Sequence, residues 1–272
     1  MAAETDSPDP TSSLLAFFGS ELRRVRTEAR KSQGETAKLA HTTQAMISYV
    51  EAAKRVPSED LARDLDLAFG TGGHFGRLYP LVIKFAYPSW FLPFVELERE
   101  ASTFRSFEGQ VIPGLLQTED YIRSLYSAVR PDNLDELVAG RVTRQEIFER
   151  EMPPHTWFIM DEHVLLRRIG GPVVMGAQLE RLLVAGESPR TVIQVIPASV
   201  AAHPGLEGPF MILGFEEGED VLYVDGFTRG HMTAEPTDVG TAARTYDLLR
   251  ATALSPQASA ELIEARLKEL HK

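Results

Sequence analysis

Residues 44–51 carry side chains that can hydrogen bond to the base edges of duplex DNA. The apolar spacing predicts a helix over these residues in which Ile47 and Val50 face a core. The opposite face carries Gln44, Ala45, Ser48 and Tyr49. A glutamine amide can pair with N6 and N7 of adenine, which contributes about 1–3 kcal/mol of discrimination. These four residues are therefore our candidate base contacts.

A second set of side chains flanks this helix and suits contacts with phosphate. Thr43 precedes the helix as its predicted N-cap, and Lys54 and Arg55 follow it. Gln33 begins the preceding helix, where its side chain and backbone can donate to a phosphate oxygen. The predicted phosphate contacts are therefore Gln33, Thr43, Lys54 and Arg55.

Short helices must position both sets. The spacing of apolar residues predicts helices over about residues 14–30, 33–40, 44–51 and 58–69, with a tight turn at 41–43. Ala37 is small enough for the second and third helices to touch. This arrangement suits a helix-turn-helix, in which the second helix of the pair lies in the major groove. A plain helical bundle used for protein contact remains the alternative.

The charge of the chain is unevenly distributed. The whole sequence has a net charge of −11, yet residues 14–56 contain eight basic and four acidic residues. This segment therefore carries +4 and the rest of the chain −15. A local basic region is what a protein with an acidic body needs to contact DNA.

The run SQGETAKLAHTTQAMISYVEAAKRVPS resembles the XRE-type helix-turn-helix of phage repressors and Cro proteins, over about residues 16–70. The resemblance implies a five-helix domain that binds palindromic double-stranded operators as a homodimer. It implies base contacts from Gln44, Ala45 and Tyr49 and phosphate contacts from Gln33, Thr43, Lys54 and Arg55. His41 and Ala53 stand where the family usually has glycine. Such positions tend to require a positive φ, which alanine adopts poorly.

The remainder of the chain predicts an α+β domain. Apolar runs rich in β-branched and aromatic residues indicate strands at 155–161, 190–197, 208–215 and 220–227. Helical patterns precede, separate and follow these strands, so we expect a small, mostly antiparallel sheet packed by helices. The predicted organisation is a disordered tail at 1–13, a DNA-binding domain at 14–80 and a regulatory domain at 81–272.

The segments PSWFLPFVELEREA, VIPGLLQTEDYIRSL, VIQVIP and VLYVDG resemble the C-terminal domain of WhiJ-like regulators, and the similarity spans about residues 87–265. This resemblance implies a transcription regulator with a small BldB-like protein, encoded nearby, as a direct partner. From the residues themselves, a ligand is a second possibility. An apolar cavity or a core could be formed by Trp90, Phe91, Phe94, Phe104, Phe107, Tyr121 and Tyr126.

Catalysis is not expected. Acids and histidines near the predicted strand ends are Asp161, Glu162, His163, His203, Asp225 and His231. They match neither a zinc-binding helix motif nor a nucleophile elbow, and scattered residues of this kind usually hydrogen bond within turns. We therefore predict no enzyme activity, no metal and no cofactor.

The composition agrees with a regulator that acts in the cytoplasm. The sequence has no cysteine, and its first residues lack the basic and apolar regions of a signal peptide. The most apolar stretch, residues 79–95, is interrupted by three prolines and a lysine and is too short to cross a membrane. We expect a dimeric DNA-binding regulator, with an antitoxin-like protein that sequesters a small partner and autoregulates its operon as the alternative. A metal-dependent hydrolase with a DNA-binding tether is a third class.

Overall fold

The computed structural model describes residues 8–270, which form two compact units. The first unit runs to Ser89 and also includes Tyr126–Thr143. The second comprises Trp90–Leu125 and the chain from Arg144 onward.

The secondary structure of these residues consists mainly of helices. In chain order they are α1 Leu14–Glu28, α2 Gln33–Leu39, α3 Gln44–Glu51, α4 Glu59–Phe69, α5 His74–Ala86, α6 Leu92–Glu100, α7 Glu119–Ser127, α8 Leu134–Thr143, α9 His163–Leu166, α10 Gly171–Gly186, α11 Pro236–Thr252 and α12 Pro256–Leu270. The strands are β1 Thr103–Glu108, β2 His155–Asp161, β3 Thr191–Ile196, β4 Phe210–Gly214, β5 Val221–Val224 and β6 His231–Thr233. Short 3₁₀ helices lie at Gly114–Leu116, Arg144–Glu149 and Pro204–Glu207.

The first four helices of the first unit begin where hydroxyl side chains can cap them. Ser13, Ser32, Thr43 and Ser58 each accept a hydrogen bond from a backbone N–H of the following turn. The Glu35 carboxylate also accepts a hydrogen bond from the backbone N–H of Ser32, which completes a capping box. The predicted helices over residues 14–69 are thus confirmed within one or two residues.

The predicted tail divides into two parts. Residues 1–7 lie outside the described residues. In residues 8–13, Asp9 accepts a 2.8 Å bond from the backbone of Thr11 and a 2.9 Å bond from the backbone of Ser12, and the predicted disorder of the tail stays a prediction. An aspartate that bonds its own downstream backbone stabilises a turn, and Ser13 then caps α1.

Helix α8 comes late in the sequence but packs within the first unit. The carbonyl of Gly140 accepts a 2.8 Å bond from the Tyr87 hydroxyl, and Asn133 donates to the carbonyl of Phe85 at 2.7 Å. A Cβ on Gly140 would lie 2.7 Å from the backbone oxygen of Ala86, so only glycine permits this approach.

The two units are therefore divided differently from the boundary predicted at residues 80 and 81. Helix α5 continues through Pro80 to Ala86 and buries Val82 and Ile83. Proline can occupy a helix when the lost backbone bond is tolerated, and the first unit ends at Ser89, within the proline-punctuated stretch 79–95. The late segment Tyr126–Thr143 has no local sequence feature that assigns it to the first unit.

The second unit is built on a mixed sheet of order β3-β2-β1-β4-β5-β6. Strands β1, β2 and β3 are parallel, and β1, β4, β5 and β6 pair antiparallel. The α+β class is confirmed, but β1 and β6 were not predicted. Three of the five strand pairs are antiparallel and two are parallel, so the sheet is mixed and roughly consistent with the mostly antiparallel one expected.

Both faces of the sheet are covered. Phe104 and Phe158 lie in a core with Met175 and Leu179 of α10, whereas Phe107 lies in a second core with residues of α11. Side chains alternate between the faces of a strand, so β1 contributes to both cores.

The helices of residues 8–270 include none that is long and apolar enough to cross a membrane.

Candidate nucleic-acid interface

The α2–turn–α3 pair is held against α1 by small and apolar residues. Ala37, Ile47 and Val50 are buried, as predicted. A Cβ on Gly19 of α1 would lie 2.4 Å from the backbone oxygen of Val50, so α1 and α3 approach at backbone distance. This packing fixes which face of α3 points away from the unit.

The outward face of α3 carries the predicted base contacts. Gln44, Ala45 and Tyr49 are exposed, and Ser48 is half-buried. The N-cap residue Thr43 accepts from the N–H of Met46 at 3.1 Å, which leaves its position at the start of the helix well defined. The four side chains therefore lie on one accessible face, and their contacts with bases remain predictions.

The side chain of Gln44 lies over the start of α2. A Cβ on Gly34 would be 3.3 Å from Oε1 of Gln44. Glycine at this position leaves room for the Gln44 amide, which is the side chain with the greatest capacity for base discrimination on this face.

The loop after α3 places two cations beside this face. The guanidinium of Arg55 lies 4.9 Å from the centre of the Tyr49 ring, and Lys54 is exposed. Arg55 also donates to the carbonyl of Lys54 at 3.1 Å. The predicted phosphate contacts Lys54 and Arg55 thus adjoin the predicted base contact Tyr49.

Gln33 has a role inside the protein that its sequence position did not indicate. Its side-chain Nε2 donates to Oε2 of Glu51 at 2.9 Å. The predicted donation to phosphate assumed that the Gln33 side chain is directed at solvent, whereas its amide is hydrogen bonded to Glu51. The phosphate contact of Gln33 stays a prediction.

Glu51 is the centre of a buried polar network that the sequence reasoning missed. It is 1% exposed, and its carboxylate accepts from Arg26 at 2.5 and 3.0 Å. Arg23 lies 3.6 Å from the same carboxylate. A buried carboxylate requires such partners. The available signal was an acid at the end of α3 together with two arginines three residues apart on α1.

The two non-glycine residues noted in the sequence adopt the expected strained conformation. His41 has φ 48° and Ala53 has φ 55°. At Ala53, the N–H donates to Val50 at 3.0 Å and the N–H of Lys54 donates to Tyr49 at 2.8 Å. These two bonds form a Schellman motif, which favours glycine at its left-handed position. Arg30 ends α1 in the same way, with φ 55°.

His41 has a further contact within the turn. Its Nδ1 lies 3.3 Å from Oδ2 of Asp64 on α4, although the imidazole is largely exposed. Histidine therefore replaces the expected glycine with a side chain that gains a polar partner.

The second unit brings together only some of the acids and histidines identified near strand ends. Asp161 hydrogen bonds to His163 at 2.6 Å and to His203 at 3.0 Å. Burial by itself raises the pKa of Asp161, but the bonds from the His163 backbone and ring and from His203 outweigh it and lower the pKa.

The remaining candidates lie in separate interactions. Glu162 contacts Arg266 at 2.5 Å, Asp225 accepts from Tyr223 at 3.2 Å, and His231 belongs to β6. Within residues 8–270 no three acids or histidines are arranged to hold a metal ion.

The aromatic residues considered as a possible ligand cavity mostly build the core. Phe94, Phe104, Phe107 and Tyr121 are at most 1% exposed. Phe91 stacks on Phe94 with ring centres 5.4 Å apart. Phe94, Phe104 and Tyr121 belong to one core of the second unit and Phe107 to the other.

Comparison with known families gives two matches. A family described as a domain of unknown function (DUF5753) matches residues 91–265. A helix-turn-helix domain matches residues 18–74, which contain α2, the turn and α3. No match was found among curated proteins or among solved structures.

Proposed function

Because the chain belongs to the DUF5753 family and carries a helix-turn-helix domain, we propose that it is a transcription regulator that binds specific DNA sequences as a homodimer. The observation that carries the proposal is the outward face of α3. Gln44, Ala45 and Tyr49 are exposed there, while Ile47 and Val50 anchor the helix to the unit. This is the arrangement that a recognition helix needs in the major groove.

We further propose that the DNA-binding unit is of the XRE type and recognises a palindromic operator. Support comes from the run SQGETAKLAHTTQAMISYVEAAKRVPS and from the left-handed residues at its two glycine-like positions, His41 and Ala53. A dimer would set two α3 helices about one DNA turn apart, or a multiple of that spacing.

The contact assignment can be tested by measuring binding to a duplex from the promoter of its own gene. We expect Gln44→Ala to relax sequence preference with little change in the salt slope. The double variant Lys54→Ala/Arg55→Ala should weaken binding to every sequence and reduce the salt slope by about two per subunit.

A matched control removes the same charge elsewhere in the first unit. Arg63 and Lys84 are exposed residues of α4 and α5, outside the predicted interface. The double variant Arg63→Ala/Lys84→Ala should retain the wild-type slope. An equal reduction of the salt slope in the two double variants would show that DNA binding depends only on net charge. It would overturn the assignment of Lys54 and Arg55 as phosphate contacts.

The second unit is proposed to regulate DNA binding, without catalysis, by contacting a small BldB-like protein or a ligand. The support is the WhiJ-like resemblance, together with an Asp161 cluster that is hydrogen bonded internally. Co-purification with the neighbouring small protein is the test. An affinity for DNA that does not change when that protein or cell extract is added would argue against the regulatory role.

A further inference from the structure

The loop that carries the predicted phosphate contacts is fixed by a residue far away in the sequence. Thr143, the last residue of α8, is 2% exposed. Its hydroxyl donates to the carbonyl of Ala139 at 2.7 Å and accepts from the N–H of Val56 at 2.9 Å. Val56 directly follows Lys54 and Arg55, so this single hydroxyl anchors the loop between α3 and α4.

The hydrogen bond from Val56 matters because its surroundings exclude water. Val56 is 1% exposed and the following residue, Pro57, is also buried. A buried N–H without a partner costs about 1–3 kcal/mol. The native loop conformation therefore depends on the hydroxyl of residue 143.

The next residue is anchored equally firmly in the second unit. Arg144 donates to both carboxylate oxygens of Glu98, at 2.8 and 2.6 Å, and the two side chains are 6% and 0% exposed. Its guanidinium also lies 4.8 Å from the centre of the Phe91 ring. The 3₁₀ helix Arg144–Glu149 begins immediately after α8, so no linker separates the two anchors.

We propose that Thr143 is a positioning residue for DNA binding and that the peptide bond joining it to Arg144 couples the second unit to the recognition loop. This proposal rests on the DNA-binding function proposed above. A partner or ligand that shifts the Arg144–Glu98 pair pulls on Thr143 through the covalent chain. The Val56 bond then weakens, and the loop with Lys54 and Arg55 loses its fixed conformation.

The positioning role is tested with three variants of the full chain. Thr143→Val keeps the shape and removes the hydroxyl, whereas Thr143→Ser keeps the hydroxyl. Tyr87→Phe is the matched control, because it removes a different buried hydrogen bond of α8, the one to Gly140, without touching the loop. Thermal unfolding of each variant measures how much stability it loses.

Two measurements are made on these variants. Amide hydrogen exchange of residues 52–56 can be measured without DNA. It should accelerate about tenfold in Thr143→Val if about 1.4 kcal/mol of protection is lost. Binding to a random-sequence duplex of about 30 base pairs should weaken, with a salt slope reduced by about 1 to 2. Thr143→Ser should restore both values, and Tyr87→Phe should leave the slope unchanged.

The outcomes separate this proposal from the proposed function. If wild-type protein does not bind duplex DNA, the function fails, and the exchange measurement still reports on the Val56 bond. If wild-type protein binds and Thr143→Val binds with the same affinity and slope, the positioning role is wrong. If the salt slope falls as much in Tyr87→Phe as in Thr143→Val, the effect is a general destabilisation of the first unit and the positioning role is wrong.

The coupling is tested by perturbing only the second unit. Glu98→Gln removes the charge that holds Arg144, and Glu98→Asp keeps that charge on a shorter side chain. We expect faster amide exchange of residues 52–56 in both variants, with the larger effect in Glu98→Gln if that variant folds. Unchanged exchange in a folded variant whose Arg144 segment has become more exchangeable would overturn the coupling.

Discussion

Ala53 holds the end of α3 in a conformation that an alanine side chain disfavours. Its φ of 55° lies in the left-handed region. In this conformation the N–H of Ala53 reaches Val50 and the N–H of Lys54 reaches Tyr49. The substitution Ala53→Gly removes the Cβ that opposes this conformation and leaves both hydrogen bonds in place.

The expected gain follows from two opposing contributions. A residue with a Cβ that adopts the left-handed conformation lowers the free energy of unfolding by about 1–2 kcal/mol. Glycine loses more backbone freedom on folding, which offsets about 0.4–1 kcal/mol of that gain. Ala53→Gly should therefore stabilise the first unit by about 0.5–1 kcal/mol, which raises its Tm by roughly 2–8 °C.

The neighbouring alanine provides a control of opposite sign. Ala52 has φ −92°, where alanine is unstrained. Ala52→Gly should lower the stability of the first unit by about 0.5–1 kcal/mol. Calorimetry of both variants measures the difference directly. A decrease in Tm for both would mean that the left-handed conformation of Ala53 carries no recoverable strain, and the reasoning would be refuted.

Two carboxylates should give the first unit opposite responses to pH. Burial by itself raises the pKa of Asp66, but hydrogen bonds from the Thr71 hydroxyl and from two backbone N–H groups outweigh it and lower the pKa. The ionised Asp66 carboxylate therefore stabilises the folded state above the ordinary aspartate pKa, and this stabilisation is lost as pH falls through the lower pKa of the folded state. Asp66→Asn should reduce Tm at pH 7 and should flatten the loss of Tm below about pH 4. Burial raises the pKa of Glu136, so the stability of the folded state is lost as pH rises through that raised value. Glu136→Gln should then raise Tm at pH 7 and leave it nearly unchanged near pH 4. Thermal unfolding across this pH range checks both, and a Glu136→Gln variant less stable at pH 7 would contradict the second.

The first unit could be predicted from the sequence largely because its structure is determined locally. Hydroxyl caps such as Ser32 and Thr43 lie directly before their helices, and the left-handed positions of His41 and Ala53 follow from where two helices end. These features depend on residues within a few positions of each other. The exposed face of α3 follows from the same helical period.

The features that were not predicted depend on distant parts of the chain. Strand β1 pairs with Phe210–Gly214 and with His155–Asp161, and its sequence TFRSFE buries residues on both faces, so it lacks simple alternation. The place of α8 in the first unit depends on the close approach of Gly140 to Ala86. A single glycine in a helical pattern does not reveal which backbone it approaches.

The basic residues of the segment 14–56 are partly neutralised by ion pairs within the first unit. The eight basic residues of residues 14–56 suggested a strongly positive surface. In the structure, Arg26 forms an ion pair with Glu51, and Arg23, Arg24 and Lys31 each lie within 4 Å of a carboxylate. The net charge of a segment therefore overstates the positive charge that it offers to DNA.

This difference has a measurable consequence for salt dependence. If Lys54 and Arg55 are the cations that each subunit places against phosphates, a dimer neutralises four phosphates. The slope of log K against log salt concentration should then be about −3.6. Contacts from all eight basic residues of each subunit would instead give a slope near −14. Titration of a random-sequence duplex at several salt concentrations distinguishes the two values. A slope between about −4 and −7 would add the exposed Arg30 and Lys38 of each subunit to the phosphate contacts. Only a slope steeper than about −7 would show that the ion pairs of Arg23, Arg24, Arg26 and Lys31 open on binding.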